Sequence, residues 1–368
     1  MTMSLQKVAV SGAQGFLGFH VRAALRARSA GVVAIPLGDS FDARTAMSAV
    51  DGSSRLVHLA GVNRGTAAEI REGNVTFARQ LAGILLQCSA PPPTVVFANS
   101  IQSGNGTSYG DAKQHAAEIL RTAAERVGAS FVEIRLPNLF GEHGQPFYNS
   151  VTATFCHLAA REQTAQVKDD KELSLLHAQR AAEILLGTLR VEELEALQTR
   201  VTVSSLLGSV SSMAASYRTG TIPKLGSPFE RDLFNTYRSY LPSERRAIAL
   251  DPKADARGSF FEVVRAAGSS SQTSFSTTVP GVTRGNHFHL RKIERFSVLS
   301  GSARISMRRL FTGETINFDV DGANPIAIDM PTMWAHNITN TGSQTLYTLF
   351  WANEVFDPEE PDTFAEDV

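Results

Sequence analysis

The 368-residue chain is short of several things, and each shortage removes a class of explanation. Two cysteines, Cys88 and Cys156, are too few for a disulfide framework, fit a reducing compartment and take no chemical role here. Charge of one sign is also lacking. With 35 basic against 36 acidic side chains, no broad field draws nucleic acid or an anionic membrane, so any anionic ligand must be held by local groups. No apolar run approaches the span of a bilayer, and MTMSLQKVAV runs into a strand with no apolar leader region or cleavage site. The expectation is a globular, cytoplasmic protein with neither nucleic acid nor membrane as partner. At this length, with 43% hydrophobic and 19% charged residues, two packed cores are expected.

KVAVSGAQGFLG reads as a short strand, a glycine-rich turn and the start of a helix, FLGFHVRAALRARS. In such a unit Gly12 permits the tight turn, Gly15 lets the backbone approach a pyrophosphate, and Gly18 lets helix pack on strand, with Phe16 and Leu17 between them. Apolar strand-like runs recur at 32–36, 55–61, 94–100 and 131–137, separated by helix-length segments. That alternation predicts an α/β fold with a parallel, doubly wound sheet. Its ligand would lie at the carboxyl ends of the strands, where Gly12–Gly18, Ala60, Gly61, Ser100, Pro137 and Asn138 fall.

YGDAK places Tyr109 and Lys113 four apart at the start of a helix, so both project from one face. An ammonium near a phenol is expected to lower the phenol pKa, so that Tyr109 exchanges a proton near neutral pH. Ser100, ending the preceding strand, is placed to hydrogen-bond the same substrate oxygen. His177, in LLHAQRAA, is expected to be an ordinary surface histidine.

Beyond about residue 245 long helical patterns give way to short alternating runs with Gly, Asn and Ser turns, which predicts an all-β domain. Histidine is scarce, nine in all, yet His287 and His289 stand two apart, on one side of a strand, with Glu294 on the next. That nitrogen and oxygen set suits a divalent transition metal, with zinc, manganese, iron and nickel all permitted.

GAQGFLG, HLAGVN, NS, YGDAK and RLPNLFG together resemble an extended short-chain dehydrogenase/reductase, over residues 1 to about 240. PNLFGEHGQPFYNSVTATF and PKLGSPFERDLFNTYRSYLP resemble more narrowly the bifunctional reductase–cupin enzymes of bacterial capsular and O-antigen sugar synthesis. Gly281, His287, His289, Glu294 and Gly301 reproduce the first cupin motif, and Pro331, His336 and Asn340 the second, with Met333 in place of the usual glycine. The resemblance implies a Rossmann-like reductase domain over 1–243 and a metal-binding cupin (jelly-roll) domain over 244–368.

It further implies Ser100, Tyr109 and Lys113 as catalytic residues and His287, His289, Glu294 and His336 as metal ligands, with zinc favoured. The turn residues, Ala60, Gly61, Lys113, Pro137 and Asn138 would hold the cofactor. Asn138, Tyr148, Asn149 and Arg257 would contact the substrate. NADPH is the implied cofactor, but Pro36-Leu37 and Gln14 offer neither the acid of NAD enzymes nor a basic residue for a 2′-phosphate, so NADH stays open. The implied substrate is a UDP-linked 4-keto deoxy amino sugar, a UDP-2-acetamido-2,6-dideoxy-4-hexulose. The cupin would epimerise C3 and the reductase domain would then reduce C4, in a homodimer formed through the cupin. Two alternatives accompany this reading: a reductase whose cupin only dimerises, and a nucleotide-sensing regulator.

Overall fold

The computed structural model describes residues 7–250, 253–255, 258–260, 264–267, 271–354 and 357–368. Contacts divide the chain into two compact units, Met1–Phe140 with Leu173–Val201, and Gly141–Glu172 with Thr202–Val368. The 243/244 boundary that the resemblance implies falls inside the second unit. Among the described residues no helix is long and apolar enough to cross a membrane.

The first unit alternates strand and helix: β1 (Lys7–Ser11), α1 (Phe16–Ala27), β2 (Gly31–Ile35), α2 (Ala43–Val50), β3 (Arg55–His58), α3 (Ala67–Leu85), β4 (Thr94–Ser100), α4 (Ser108–Arg126) and β5 (Ser130–Leu136). The strands form a parallel sheet in the order β2-β1-β3-β4-β5, as the alternation predicts. Strand side chains alternate between two cores. Ala9, Val95 and Phe97 pack with Ala46, Leu81 and Leu120 of α2, α3 and α4. Val8, Val10, Val96 and Ala98 pack on the opposite face with Val21 and Leu25 of α1.

Four elements follow: β6 (Asn138–Phe140), α5 (Val151–Ala160), β7 (Glu172–His177) and α6 (Ala178–Leu186). Helix α6 packs on α1 and closes the second core. Strand order reverses at β1, and the crevice at that switch point is where a doubly wound sheet takes its ligand.

After β8 (Thr199–Thr202), the second unit gathers α5, α7 (Val203–Arg218), β9 (Thr221–Ile222) and α8 (Pro228–Ser239) with the strand-rich remainder. That remainder runs β10 (Ala247–Ala249), β11 (Lys253–Asp255), β12 (Gly258–Phe260), β13 (Arg265–Ala266), β14 (Gln272–Thr278), β15 (Thr283–Phe288), β16 (Glu294–Ser300), β17 (Ser302–Arg309), β18 (Thr315–Asp321), β19 (Ile326–Met330), β20 (Trp334–Asn340), β21 (Leu346–Ala352) and β22 (Phe364–Ala365). Two five-stranded sheets result, β10-β19-β16-β21-β14 and β18-β17-β20-β15-β22, all of whose described pairings are antiparallel. Ala303, Ile305 and Met307 alternate inward from β17 to meet Ile328, Trp334 and Ile338.

Candidate functional site

The glycine-rich turn begins where β1 ends. Gly12 has φ +68°, and a Cβ on it would come within 2.7 Å of Ala60 N. A Cβ on Gly18 would meet Gly12 O at 2.2 Å, so glycine here sets how closely α1 approaches the turn. Gly15 precedes α1 without any side-chain cap, which leaves the first helical N–H groups turned toward whatever anion the crevice admits. Phe16 and Leu17 form the first turn of α1 and are partly buried.

Side chains the sequence did not single out brace this crevice. Ser11 Oγ lies 2.6 Å from His58 Nδ1 and accepts from Leu59 N at 3.1 Å, locking the ends of β1 and β3 side by side. Burial and then the Lys113 charge push His58 down to about 3, so it is a neutral structural imidazole. Asn74 Nδ2 donates to Val62 O at 2.7 Å and fixes the loop carrying Ala60 and Gly61.

Of the three expected catalytic residues, Tyr109 meets Ser100 at the end of β4, while Lys113 binds the β4 backbone at Ala98 O. The Asn99 amide links Ser103 and Glu133, and its Oδ1 accepts from Ser100 N at 2.8 Å, so the end of β4 is held from three sides. Thr107 caps α4 by accepting from Gly110 N at 3.0 Å. A Cβ on Gly110 would meet Gln102 O at 2.3 Å: the loop from Ser100 folds back on the first turn of α4, which is why glycine separates Tyr109 from Asp111. The short spacing thus brings the Tyr109 phenol into a hydrogen bond with Ser100.

The expected electrostatics are corrected. Burial raises the Tyr109 pKa above its ordinary 10.0, with the Ser100 hydrogen bond only partly opposing, so the phenol stays protonated. Lys113 does not act on it as supposed. Its ammonium donates to Ala98 O at 2.8 Å, lies 4.1 Å from the Phe97 ring centroid, and is itself brought down to about 7 by burial despite the Glu133 charge. His177 is corrected as well: it is 6% exposed, paired with Phe140 in the β6–β7 register, and its ring packs against His20 and Phe140. Pro137 is buried and Asn138 exposed at the start of β6. Tyr148 and Asn149 fall in the second unit, just before α5, with Tyr148 exposed. Arg257 lies outside the described residues.

The second unit carries a separate cluster. His287, His289, Glu294 and His336 each offer a ligand atom, and these atoms all lie within 4.8 Å of one another. Gly285, at φ +104°, sits where a Cβ would meet His336 O at 2.9 Å, and a bulge between Gly285 and His287 sets the latter opposite His336. His289 is therefore not placed by simple alternation. It lies just past β15, yet its Nε2 is 3.0 Å from Glu294 Oε2, and His336 Nε2 is 3.3 Å from the same oxygen.

The donor set fits a divalent cation. His289 Nδ1 is 2.5 Å from Asp362 O and His336 Nδ1 is 3.3 Å from Trp334 O, while a hydrogen bond with the Gly285 backbone anchors His287. Nδ1–H donation to a carbonyl leaves Nε2 with its lone pair toward the cluster. His289 Nε2, His336 Nε2 and Glu294 Oε2 are buried without a well-directed hydrogen-bond partner. Burial and then the two neighbouring imidazoles push His287 down to about 4, so it is neutral. Burial pushes the Glu294 carboxyl up, but His289 and His336 outweigh it and hold it well below its usual range. Burial opposes charge on His289, yet the Glu294 carboxylate keeps its pKa raised.

Two residues of this site read differently in the structure. Asp362, which the sequence did not mark, is 4% exposed, and its carboxylate accepts from the N–H groups of Leu290, Arg291 and Lys292 at 3.2, 2.9 and 2.8 Å. It thus clamps the loop between His289 and Glu294. The only sequence signal was its place in PDTF near the C-terminus, about seventy positions away from those partners. Met333, where the resembled motif has glycine, adopts a left-handed φ of +62°, and its N–H donates to His289 O at 2.8 Å. A left-handed L-residue costs roughly 1–2 kcal/mol.

Residues 8–190 match the NAD dependent epimerase/dehydratase family, and residues 253–364 match the polysaccharide biosynthesis C-terminal domain. The chain is 32% identical over 367 residues to the UDP-2-acetamido-2,6-beta-L-arabino-hexul-4-ose reductase of Pseudomonas aeruginosa, covering 98% of each. The crystal structure of the capsular polysaccharide assembling protein CapF from Staphylococcus aureus is similar over 99% of this chain and 100% of that one, at 32% identity and a TM-score of 0.61. UDP-glucose 4-epimerase from Thermotoga maritima, 14% identical, shares the fold over 64% of this chain and 98% of its own, with a TM-score of 0.52.

Proposed function

Since the chain belongs to the family of the UDP-2-acetamido-2,6-beta-L-arabino-hexul-4-ose reductase, we propose that it converts a UDP-linked 2-acetamido-2,6-dideoxy-4-hexulose in two steps, C3 epimerisation and C4 reduction, for surface polysaccharide synthesis. The observation that carries this reading is the presence in one chain of Tyr109 set beside Ser100 at the end of β4 and a largely buried three-histidine–glutamate cluster. Residues 1–243 are the proposed reductase domain and 244–368 the proposed cupin.

Bound NADPH supplies the hydride, and a divalent cation, zinc in this proposal, supplies Lewis acidity toward a keto oxygen. The chain's own part is positioning and proton transfer. Gly12, Gly15 and Gly18 clear the crevice for a pyrophosphate, with Phe16, Leu17, Ala60, Gly61, Pro137 and Asn138 around it. Ser100 orients the C4 oxygen while Tyr109, protonated at neutral pH, gives it the proton that completes the alcohol. Reduction removes the keto group and fixes the configuration at C3. His287, His289, Glu294 and His336 would hold the cation, and Tyr148 and Asn149 are proposed to touch the sugar. A homodimer in the cytoplasm completes the proposal.

Incubating the protein with candidate 4-keto UDP-sugars and either NADH or NADPH, and assigning products by NMR, tests the proposal. A C4-reduced, C3-inverted product is expected, and recovery of unreduced sugar with both cofactors would refute it.

Two smaller expectations arise from the geometry. Lys113 carries its charge below about 7 in the free protein and loses it above. Cofactor affinity that depends on the ammonium therefore falls as pH rises past that point, by at most about tenfold per unit. Lys113→Met removes the slope, as fluorescence titration with NADPH at several pH values would record. Asp362→Ala frees the loop beside His289, and zinc affinity falls about 10–100-fold, as competition with a chromophoric chelator would show.

A further inference from the structure

The second unit contains a cavity of ≈ 440 Å³ that shares no residue with the histidine–glutamate cluster. Three guanidinium groups line it, those of Arg161, Arg246 and Arg309, against one carboxylate, Glu314. Glu314 lies 3.4 Å from Arg309 and so accounts for one of the three charges. Arg161 donates to His157 Nδ1 at 3.1 Å and approaches Tyr240 O at 3.5 Å, with no carboxylate partner. Burial and then the Arg161 charge lower the His157 pKa, so this imidazole is neutral and adds no positive charge of its own.

Arg246 is the unusual member. It is 5% exposed and its guanidinium carbon lies 4.4 Å from the Trp334 ring centroid. Nη2 reaches Leu241 O at 3.4 Å, whereas Nε and Nη1 have no acceptor. Burial lowers its pKa to about 10, which leaves it charged at neutral pH. The Glu314 carboxylate only partly offsets that burial, Nε and Nη1 stay without acceptors, and a cavity beside such a buried cation is where further negative charge can sit. Leu241, Pro242 and Ile316 supply apolar wall, so the surroundings suit an organic anion better than a bare ion. The volume also falls within the roughly 300–1,000 Å³ range of small-molecule sites.

We propose that this cavity is a diphosphate-recognition site for a nucleotide-linked sugar, distinct from the glycine-rich turn of the first unit. The inference rests on the nucleotide-sugar reading and adds to it a second place where that ligand is held. Arg246 supplies the buried charge and Arg161 the accessible one at the end of α5.

The test is a crystal of the full chain grown with UDP, together with calorimetric titration of UDP and of inorganic pyrophosphate into parent, Arg246→Gln and Arg161→Gln. The expected result is a diphosphate in contact with Arg161 and Arg246. Weakening should reach about tenfold or more in each variant, the size of one lost charge-assisted hydrogen bond. Arg161 is exposed, so its variant remains informative if Arg246→Gln does not fold. UDP found only beside Ser100, Tyr109 and Lys113, with both variants titrating like the parent, would overturn the inference and leave the reductase reading standing. UDP binding nowhere would overturn both. Pyrophosphate binding as tightly as UDP would make the site one for free polyphosphate and overturn the nucleotide assignment.

Discussion

With Tyr109 as the proposed proton donor, Tyr109→Phe lowers kcat for C4 reduction by about 10²–10⁴ while the fold is kept. Phenylalanine keeps the ring, and the hydrogen bond to Ser100 is lost. Following NADPH oxidation with a 4-keto UDP-sugar measures the loss. A variant as active as the parent would mean that another group donates the proton. The raised phenol pKa sets the pH behaviour of this step. The donor form is present throughout the neutral range and is depleted only above the ordinary tyrosine value, so Tyr109 contributes no fall in rate between pH 6 and 9. A rate that rose toward alkaline pH, as a phenolate base requires, would contradict the assignment.

The second large effect lies in the other unit. His336→Gln removes one of three imidazoles from a cluster whose ligand atoms lie within 4.8 Å of one another and of which only His287 is less than buried. On the proposed metal role, the variant is expected to lose the bound cation, and with it proton exchange at C3, because three remaining donors hold the cation too weakly to survive purification. Elemental analysis reads the first loss and NMR of the sugar the second. Glutamine retains a polar side chain, but it cannot reproduce the Nδ1 contact to Trp334 O while presenting an imidazole nitrogen to Glu294.

Much of this was legible in the sequence because local chemistry dictated it. Gly12 and Gly18 are required by a left-handed φ and by a helix–turn approach that excludes a Cβ, and both demands leave glycine in the sequence. Tyr109 and Lys113 share a face because four residues make about one helical turn. The strands of both units announce themselves through alternation, as at β17, where Ala303, Ile305 and Met307 face the core.

What stayed hidden depends on contacts distant in sequence. Asp362 serves N–H groups about seventy residues away, and no periodicity marks such a partner. His177 is buried by its pairing with Phe140 and its packing against His20, and nothing in its local sequence marks either partner. The Tyr109 pKa departs from expectation for one reason: spacing tells which groups share a face, whereas burial bears on their protonation, and burial is the largest influence on both Tyr109 and Lys113. His289 was placed rightly beside Glu294 by motif but wrongly by alternation, since a bulge at Gly285 and the end of β15 intervene.

The most direct measurement is solvent deuterium incorporation at C3 of the 4-keto UDP-sugar, followed by NMR in D2O with zinc-loaded protein and no nicotinamide cofactor. Exchange at C3 that disappears on chelation and returns when zinc is restored is the expected result. A zinc-loaded protein that leaves C3 fully protonated while still reducing C4 once NADPH is added would contradict it.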